Sequence, residues 1–473
     1  MAEVSRAENV SYGLGNFGLG LCEYTLHFTV VALYSHVAGL RPGTITMVLV
    51  GTWCLTACIC PFVGAAWDAR SKQRPAYRRC LWAATAVTCA GYWLALRPPL
   101  EAPHLAIIAW LAIWLVVARS GLILFRVPYL ALGATLTSDY HERTRIAGVR
   151  AAFGATGQLC GLTLAHAVFL RGDLQQPIGM LKVGGYAALG ITGALLIAAT
   201  SAFHTMLSPH ALVHETRAFA PAGWRSRVRD SSALVSMRSS QVVLGCIFLI
   251  AVVYGMTHAL CELSHGELFV ASKAVITTAP TLLGALIGSL ISARLRVDKR
   301  TAYVAGAAMF AIVGLLPIAT RLLYVPDAND NLLHAVASIA SPFVASIFGA
   351  VCPVALEAML ADISDVQRLR TGAAVEGRLF GLALALQSLG RAGGHWIDHH
   401  AIMLTLEAVG GGAEEADPWL TLKFSVVAVP VAALALLSAF VLARWQLLGV
   451  ASHEEVKAML GRRGRPGEMI DAQ

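Results

Sequence analysis

Long apolar runs separated by short polar segments recur along the whole of this chain of 473 residues. An α-helix of about 20 residues crosses the hydrocarbon core of a bilayer, and the runs approach or exceed that length. They are rich in Ala, Leu and Gly and do not alternate as barrel strands do. The pattern predicts an all-α membrane protein with about twelve transmembrane helices. The predicted spans are Tyr12–Val37, Thr44–Trp67, Cys80–Leu96, Leu105–Gly133, Val149–Leu170, Gly184–Phe203, Val242–Leu260, Ala271–Leu295, Ala302–Leu322, Leu333–Leu360, Leu379–Ile397 and Leu420–Ala443.

The longest polar interruption, His204–Ser240, separates two groups of spans. It predicts an N-terminal six-helix bundle in residues 1–203, a central linker in 204–240, a C-terminal six-helix bundle in 241–445 and a tail in 446–473. Arg and Lys concentrate in the loop Asp68–Arg79, in the linker, in two later loops and in the tail, whereas the alternate loops carry few. By the positive-inside rule both termini, the linker and the tail are predicted to be cytoplasmic.

Composition agrees with a lipid environment. Hydrophobic residues make up 57% of the chain and charged residues 14%, and the mean hydropathy is +0.65, whereas soluble domains carry about a quarter charged residues. The net charge of +8 arises in loops, so it indicates topology and not a nucleic-acid partner. Most of the 10 cysteines lie in apolar runs, where thiols act as packing residues. We expect a multi-pass protein of the plasma membrane or bacterial inner membrane, with an internal membrane as the alternative, and no metal or cofactor.

Three motifs identify a family. Residues Val127–Leu159 read VPYLALGATLTSDYHERTRIAGVRAAFGATGQL, Tyr12–Gly18 read YGLGNFG, and Met359–Gly390 read MLADISDVQRLRTGAAVEGRLFGLALALQSLG. In this order they resemble the glycoside–pentoside–hexuronide cation symporters, the melibiose-permease-like branch of the major facilitator superfamily. The resemblance covers essentially the whole chain and implies the superfamily fold and a secondary transporter of a small-molecule substrate. We expect a monomer.

The segment that begins at Gly64 and includes Asp68 and Arg70 resembles the superfamily motif between helices 2 and 3. Gly64 permits close helix packing, and Asp68 can accept hydrogen bonds from Arg70 or cap a neighbouring helix. We predict that these three residues form a cytoplasmic gate. The alternative is a solvated loop with a positive-inside cluster.

Two departures from the family concern its binding sites. The resemblance places the two sodium-binding carboxylates of the second span at Thr56 and Cys60, neither of which offers an ionised oxygen. It places the sugar-binding acids of the galactoside permeases at Gly20 and Arg126. The sodium site is therefore predicted to be lost, and one acid has become a permanent cation.

The charges that remain inside the spans predict a substrate site. We expect a water-filled cavity between the bundles, with Glu23 as the coupling residue and protons as the coupling ion if transport is coupled. In the alternative interpretation, Glu23 and Arg126 pair internally and only join helices. Glu262, Glu357 and the segment His395–His400 are predicted to be interfacial. The resemblance implies three further cavity residues: Arg150 matches a cavity-lining arginine of the family, Arg391 lies within one residue of its lysine on the eleventh span, and Gln387 matches a polar position just before that lysine. Together with the positions of the two sugar-binding acids, the predicted substrate-binding residues are Gly20, Arg126, Arg150, Gln387 and Arg391.

Converging arginines favour a substrate with a negative charge, such as a sugar acid or a sulfated or phosphorylated sugar. The sequence leaves two alternatives open, a lysolipid carrier and a receptor or scaffold that does not transport. An enzyme is not expected, because the sequence shows no nucleophile–base pair, phosphate loop or metalloprotease spacing.

Overall fold

The described part of the chain is helical and contains no β-strand. The computed structural model describes residues 5–69, 74–172, 178–207, 237–263, 271–323, 332–371, 375–408 and 418–444. Short π-helical turns, Leu33–Val37 and Thr163–Phe169, extend α1 and α5, and a 3₁₀ turn at Gly179–Leu181 precedes α6. The α-helices are α1 (Arg6–Ala32), α2 (Pro42–Ala69), α3 (Arg74–Ala95), α4 (His104–Thr135), α5 (Tyr140–Leu162), α6 (Val183–Leu207), α7 (Arg238–Leu263), α8 (Ala271–Ser292), α9 (Lys299–Gly314), α10 (Leu316–Leu323), α11 (Leu332–Thr371), α12 (Glu376–Ala408) and α13 (Pro418–Arg444).

Every predicted apolar run coincides with helix, which confirms the all-α prediction. The ninth run is divided between α9 and α10 after Gly314. Within the described residues, 8 helices are long and apolar enough to cross a membrane, and two shorter apolar stretches lie at Thr278–Ser292 and Ala428–Arg444. Helix α6 continues to Leu207, past the predicted end of the first bundle, and most of the predicted linker and tail lies outside the described residues.

Polar side chains fix the first turns of several helices. Ser5 and Glu8 form a capping box at the start of α1, in which each side chain accepts a hydrogen bond from the other residue's backbone N–H. Asp139 accepts from the backbone of Glu142 at the start of α5, and Asp298 caps α9. Each cap satisfies backbone donors that a helix leaves unpaired at its N-terminus.

The helices pack into an N-terminal half (α1–α6) and a C-terminal half (α7–α13). In the first half α1 packs on α5 and α6, α3 on α4 and α6, and α2 on α4. In the second, α11 packs on α8 and α9, α12 on α7, and α13 on α7 and α9. The halves meet mainly where α2 packs on α12 and where α5 packs on α8 and α11. A site between the halves is therefore bordered by these helices and by their neighbours α1 and α4.

Helices α2 and α12 run antiparallel and are in contact from one end of α2 to the other. At one end the carboxylate of Asp68 accepts a hydrogen bond from the backbone N–H of Gly377 at 2.8 Å. At the other end Thr46 Oγ1 lies 3.5 Å from Nδ1 of His399. The two contacts are separated by roughly six helical turns, or about 33 Å, which matches the thickness of the hydrocarbon core.

Glycines permit the close approach of the halves. A Cβ atom on Gly64 would lie 2.3 Å from the carbonyl oxygen of Gly377, so α2 and α12 could not pack here with a larger residue. A Cβ on Gly148 of α5 would lie 2.7 Å from the backbone nitrogen of Ala293, at the end of α8. Small residues at such crossings let backbones come into direct contact, as is common between membrane helices.

Gly20 has the same role inside the N-terminal half. A Cβ on Gly20 would lie 2.1 Å from the carbonyl oxygen of Gly154, so this residue forms a backbone contact between α1 and α5. We expect Gly20→Ala to destabilise the protein by about 1–3 kcal/mol through overpacking. The thermal unfolding midpoint of the purified protein in detergent is the measurement.

Gly51→Ala is the matched control for this prediction. Gly51 lies inside α2, is exposed, and has no neighbour within 4 Å of an added Cβ. Alanine is the better helix former by about 1 kcal/mol, so the midpoint should stay or rise. An unchanged midpoint in Gly20→Ala would contradict the packing argument.

Candidate functional site

A carboxylate held by two arginines lies between the halves. Glu23 on α1 accepts hydrogen bonds from both terminal nitrogens of Arg126 on α4, at 2.6 and 2.9 Å. It also accepts one from Arg391 on α12 at 3.2 Å. The three side chains are 21%, 17% and 26% exposed, so water still reaches them. This geometry places Glu23, Arg126 and Arg391, three of the residues named from the sequence, in one cluster.

The pairing answers a question that the sequence left open. Glu23 and Arg126 do pair internally, with the two parallel hydrogen bonds that a guanidinium and a carboxylate form best. However, one carboxylate faces two cations, so the cluster keeps an excess of positive charge. Internal pairing therefore neutralises only part of the charge of the arginines.

A third arginine lies beside this cluster. Arg119 on α4 is 8% exposed, and it donates hydrogen bonds to the carbonyl oxygen of Leu49 at 3.0 Å and to Thr52 Oγ1 at 2.7 Å. Its guanidinium lies 4.3 Å from the centroid of the Trp53 ring. Backbone dipole, hydroxyl and ring together stabilise a buried cation without neutralising it. Arg119 has no predicted role, although its spacing of about two turns from Arg126 places both on nearly one face of α4.

Arg150 belongs to a separate contact. On α5 it forms an ion pair with Glu357 of α11, and its carbonyl oxygen accepts a hydrogen bond from the side-chain amide of Asn16 at 2.9 Å. Arg150 and Glu357 line a cavity together with Tyr12 and Arg143, closer to the start of α5. Arg150 thus pairs with a different acid from Arg126 and Arg391. Glu357, which the sequence suggested was interfacial, instead joins the two halves.

The remaining predicted binding residues differ in placement. Gln387 is half-buried on α12, one turn before Arg391. Gly20 lies at the α1–α5 crossing and contributes backbone only. At the family's sodium positions, Thr56 Oγ1 donates to the carbonyl oxygen of Thr52 at 2.8 Å, and Cys60 Sγ donates to that of Thr56 at 3.2 Å. Both side chains are directed to the backbone of their own helix.

The predicted gate residue Asp68 caps the N-terminus of α12. Its carboxylate accepts from the backbone of Gly377 at 2.8 Å and of Arg378 at 2.9 Å, and Arg378 Nε lies 3.4 Å away. A carboxylate at this position is stabilised by the free N–H groups and by the helix dipole. Gly64 packs on the same residue, Gly377, one turn away. Arg70, the third predicted gate residue, lies outside the described residues.

A second connection on the same side was not identified from the sequence. Arg143 at the start of α5 bonds Asp362 at 2.9 Å and Asp365 at 2.6 Å near the end of α11. Lys299 at the start of α9 bonds the other oxygen of Asp362 at 2.5 Å. Both ends of this network lie in the quoted motifs, but the sequence does not show that these motifs meet across the halves.

Part of the histidine-rich segment of α12 is buried in the protein. His395 is 1% exposed and Asp398 is 0% exposed, whereas Trp396 and Ile397 are exposed. Helix α12 continues to Ala408, beyond the predicted end of its apolar run at Ile397. The interfacial position of this segment stays a prediction.

Comparison with known proteins gives matches over nearly the full length. A family model described as MFS/sugar transport protein matches residues 11–448. A protein of Escherichia coli (strain K12) described as a glycoside/cation symporter, YagG, is 23% identical over 441 residues, or 91% of this chain and 90% of that protein.

Solved transporters share the architecture. The proton:xylose symporter XylE superposes with a TM-score of 0.63 at 13% identity and covers 96% of this chain and 98% of its own. The human organic anion transporter MFSD10 gives a TM-score of 0.60 at 15% identity, with 92% and 98% covered. The fucose:proton symporter FucP of E. coli gives 0.58 at 12%, with 91% and 97% covered. These likenesses confirm the predicted major facilitator superfamily fold.

The charge pattern around Glu23 predicts an order of stability. Arg126→Gln leaves Glu23 paired with Arg391, whereas Glu23→Gln leaves two arginines facing each other near Arg119. Removing the shared partner of buried charges is the more costly change. Glu23→Gln should therefore lower the thermal unfolding midpoint more than Arg126→Gln does. Equal or reversed effects would show that the cluster is hydrated enough to screen its charges.

Proposed function

This chain belongs to the MFS/sugar transport protein family and is a multi-pass secondary transporter, and we propose that its substrate is a small organic solute with at least one negative charge. The solute binds between the halves, at Arg126 and Arg391. Transport follows alternating access, in which the two halves rock around the site. The substrate is sugar-like, since the family and the E. coli relative are named for sugar and glycoside transport.

The observation that carries this proposal is the excess of arginine over carboxylate. Arg126 and Arg391 share the carboxylate of Glu23, whereas Arg150 is balanced by Glu357. Arg119 bonds a carbonyl and a hydroxyl group, which are neutral. Uncompensated cations in a low-dielectric site attract an anion. The planar fork of Arg126 suits a carboxylate, sulfate or phosphate group.

Substrate binding and conformational change are linked through Glu23. An anionic group that bonds Arg126 and Arg391 competes with Glu23, which now links α1 to α4 and α12. When Glu23 is displaced, a link between the halves is lost, and the anionic group of the substrate replaces it by bonding Arg126 and Arg391. A neutral solute offers no such replacement charge, and the link persists.

Movement of the halves also requires the cytoplasmic contacts to open. The Asp68 cap on α12 and the network of Arg143 with Asp362 and Asp365 join the halves on one side. These bonds are buried while the halves are in contact, and water can replace them once the halves separate. We propose that Gly64, Asp68 and Arg70 form the gate at this side.

Coupling is proposed to involve a proton and not sodium. Once substrate occupies the arginines, Glu23 is a carboxylate without its partners, and protonation neutralises it. Thr56 and Cys60 provide no carboxylate for sodium. Glu23 is therefore the residue that we propose as the coupling site.

Substrate charge can be tested with matched pairs of solutes. We expect a hexuronate to raise the thermal unfolding midpoint of the purified protein and the parent hexose to have no effect, and likewise for sulfated or phosphorylated sugars. Arg126→Gln should weaken binding of the active anion by about tenfold or more, because a charged hydrogen bond contributes about 1.5–3 kcal/mol. Arg126→Lys should recover part of the affinity.

Arg97→Gln is the control for charge removal, since Arg97 is exposed in the loop between α3 and α4. It should leave ligand binding unchanged. Full-affinity binding of a neutral glycoside to Arg126→Gln would overturn the proposal of an anionic substrate.

Independence from sodium is a second expectation. Replacing external sodium with choline, at constant pH and membrane potential, should leave uptake of the identified anion unchanged, because the family's two-carboxylate site is absent at Thr56 and Cys60. A steep dependence of uptake on sodium would show that other residues bind the ion.

A further inference from the structure

Two histidines from opposite halves are in contact inside the protein. The rings of His27 on α1 and His395 on α12 have centroids 5.5 Å apart and an angle of 68° between their planes. The residues are 7% and 1% exposed. This contact joins the halves and is not part of the Glu23 cluster.

The histidines are in register with the Glu23 cluster. His27 follows Glu23 by one turn on α1, and His395 follows Arg391 by one turn on α12. Residues four apart lie on one helix face, with a rise of about 6 Å. Because Glu23 and Arg391 are themselves bonded, the two helices run in parallel here and the histidines form the next layer of contacts.

Aromatic and charged groups enclose the pair. The Trp53 ring of α2 lies 5.7 Å from the His27 ring and 5.5 Å from the His395 ring, and Phe28 lies 5.1 Å from His27. The charged and titratable groups near the pair lie on three helices. They are Glu23 on α1, Arg119 on α4, which contacts the Trp53 ring, and Arg391, the buried Asp398 and His399 on α12, the last of which lies beside Thr46 of α2.

We propose that His27 and His395 form a proton-binding site between the halves, from which a proton passes to Glu23. Imidazole gains and loses a proton between about pH 5 and pH 8. With one proton on the pair, the charged ring can donate an N–H to a nitrogen of the neutral ring. A second proton would place two cations near Arg119 and Arg391, so the site holds one.

The transfer balances without another reactant. A proton leaves a ring nitrogen of the imidazolium and binds a carboxylate oxygen of Glu23, which leaves a neutral imidazole and a neutral carboxylic acid. The step rests on the proposed function, since it is needed when a bound anion takes Arg126 and Arg391 from Glu23. The proton-binding site itself does not depend on substrate.

Trp53 reports on the site because its ring contacts both histidines. The full chain, labelled with 5-fluorotryptophan and held in lipid nanodiscs, is followed by ¹⁹F NMR from about pH 5 to about pH 8. The Trp53 signal is the one lost in Trp53→Phe. We expect this signal to shift with one midpoint in the unsubstituted chain.

Substitutions show which residues bind the proton that shifts the Trp53 signal. His27→Gln and His395→Gln should each abolish the shift or move its midpoint by about one pH unit or more, whereas His104→Gln, at an exposed position at the start of α4, should not change it. Glu23→Gln should move the midpoint to lower pH, because a nearby carboxylate favours the protonated ring. An unchanged midpoint in Glu23→Gln would overturn the transfer step.

A Trp53 signal that does not shift with pH in the unsubstituted chain would overturn the proton-binding site, whether or not the variants fold. A midpoint that survives in both histidine variants would do the same. Neither measurement involves substrate, so the proton-binding site and the anionic substrate are tested separately. If only the anion proposal fails, Arg126→Gln binds solutes with normal affinity and the Trp53 signal still shifts with pH.

Discussion

The need to neutralise Glu23 inside the membrane governs the arrangement of the two halves. An unpaired charge at this depth costs several kcal/mol, and Glu23 avoids that cost by bonding arginines from α4 and α12 at once. The bond to Arg391 crosses between the halves. The halves can therefore separate at the centre only if another group, such as an anion, a proton or water, takes over one side of this interaction.

The other contacts between the halves follow from their depth. On one side, Asp68 of α2 bonds the N-terminus of α12 and Arg143 bonds Asp362, and water can replace these bonds once the halves separate. Arg150 and Glu357 form an ion pair whose charges cancel. One helical turn after Glu23 and Arg391, the contact between the halves is aromatic, between the rings of His27 and His395. Glycines at Gly64 and Gly148 bring the backbones close enough for these side chains to meet. A polar path thus follows the interface while lipid faces stay apolar.

Local patterns in the sequence were enough to predict the helices, because run length and caps are local properties. The resemblance to the superfamily motif gave capping of a neighbouring helix as one of two roles for Asp68, and the structure shows that cap. Local patterns did not show which charges form pairs, because Arg150 bonds Glu357 and Arg391 bonds Glu23 across long separations in sequence. Nor did hydropathy show that His395 is buried, because a polar segment buried between the halves has the same composition as an exposed one.

Glu23 makes with Arg126 the bonds that a substrate carboxylate would make. Two parallel N–H···O bonds at 2.6 and 2.9 Å are the geometry in which guanidinium recognises any planar anion. Glu23 therefore acts as an internal occupant of the site, and a substrate must exceed its attraction for Arg126 to enter. If a neutral sugar replaced Glu23, Arg126 would lose hydrogen bonds to a charged group and gain only hydrogen bonds to neutral hydroxyls, which is unfavourable. If an anion replaced Glu23, Arg126 would again bond a negatively charged group. Selection for charge thus follows from competition with a tethered carboxylate, and protonation of that carboxylate would favour the substrate in the competition.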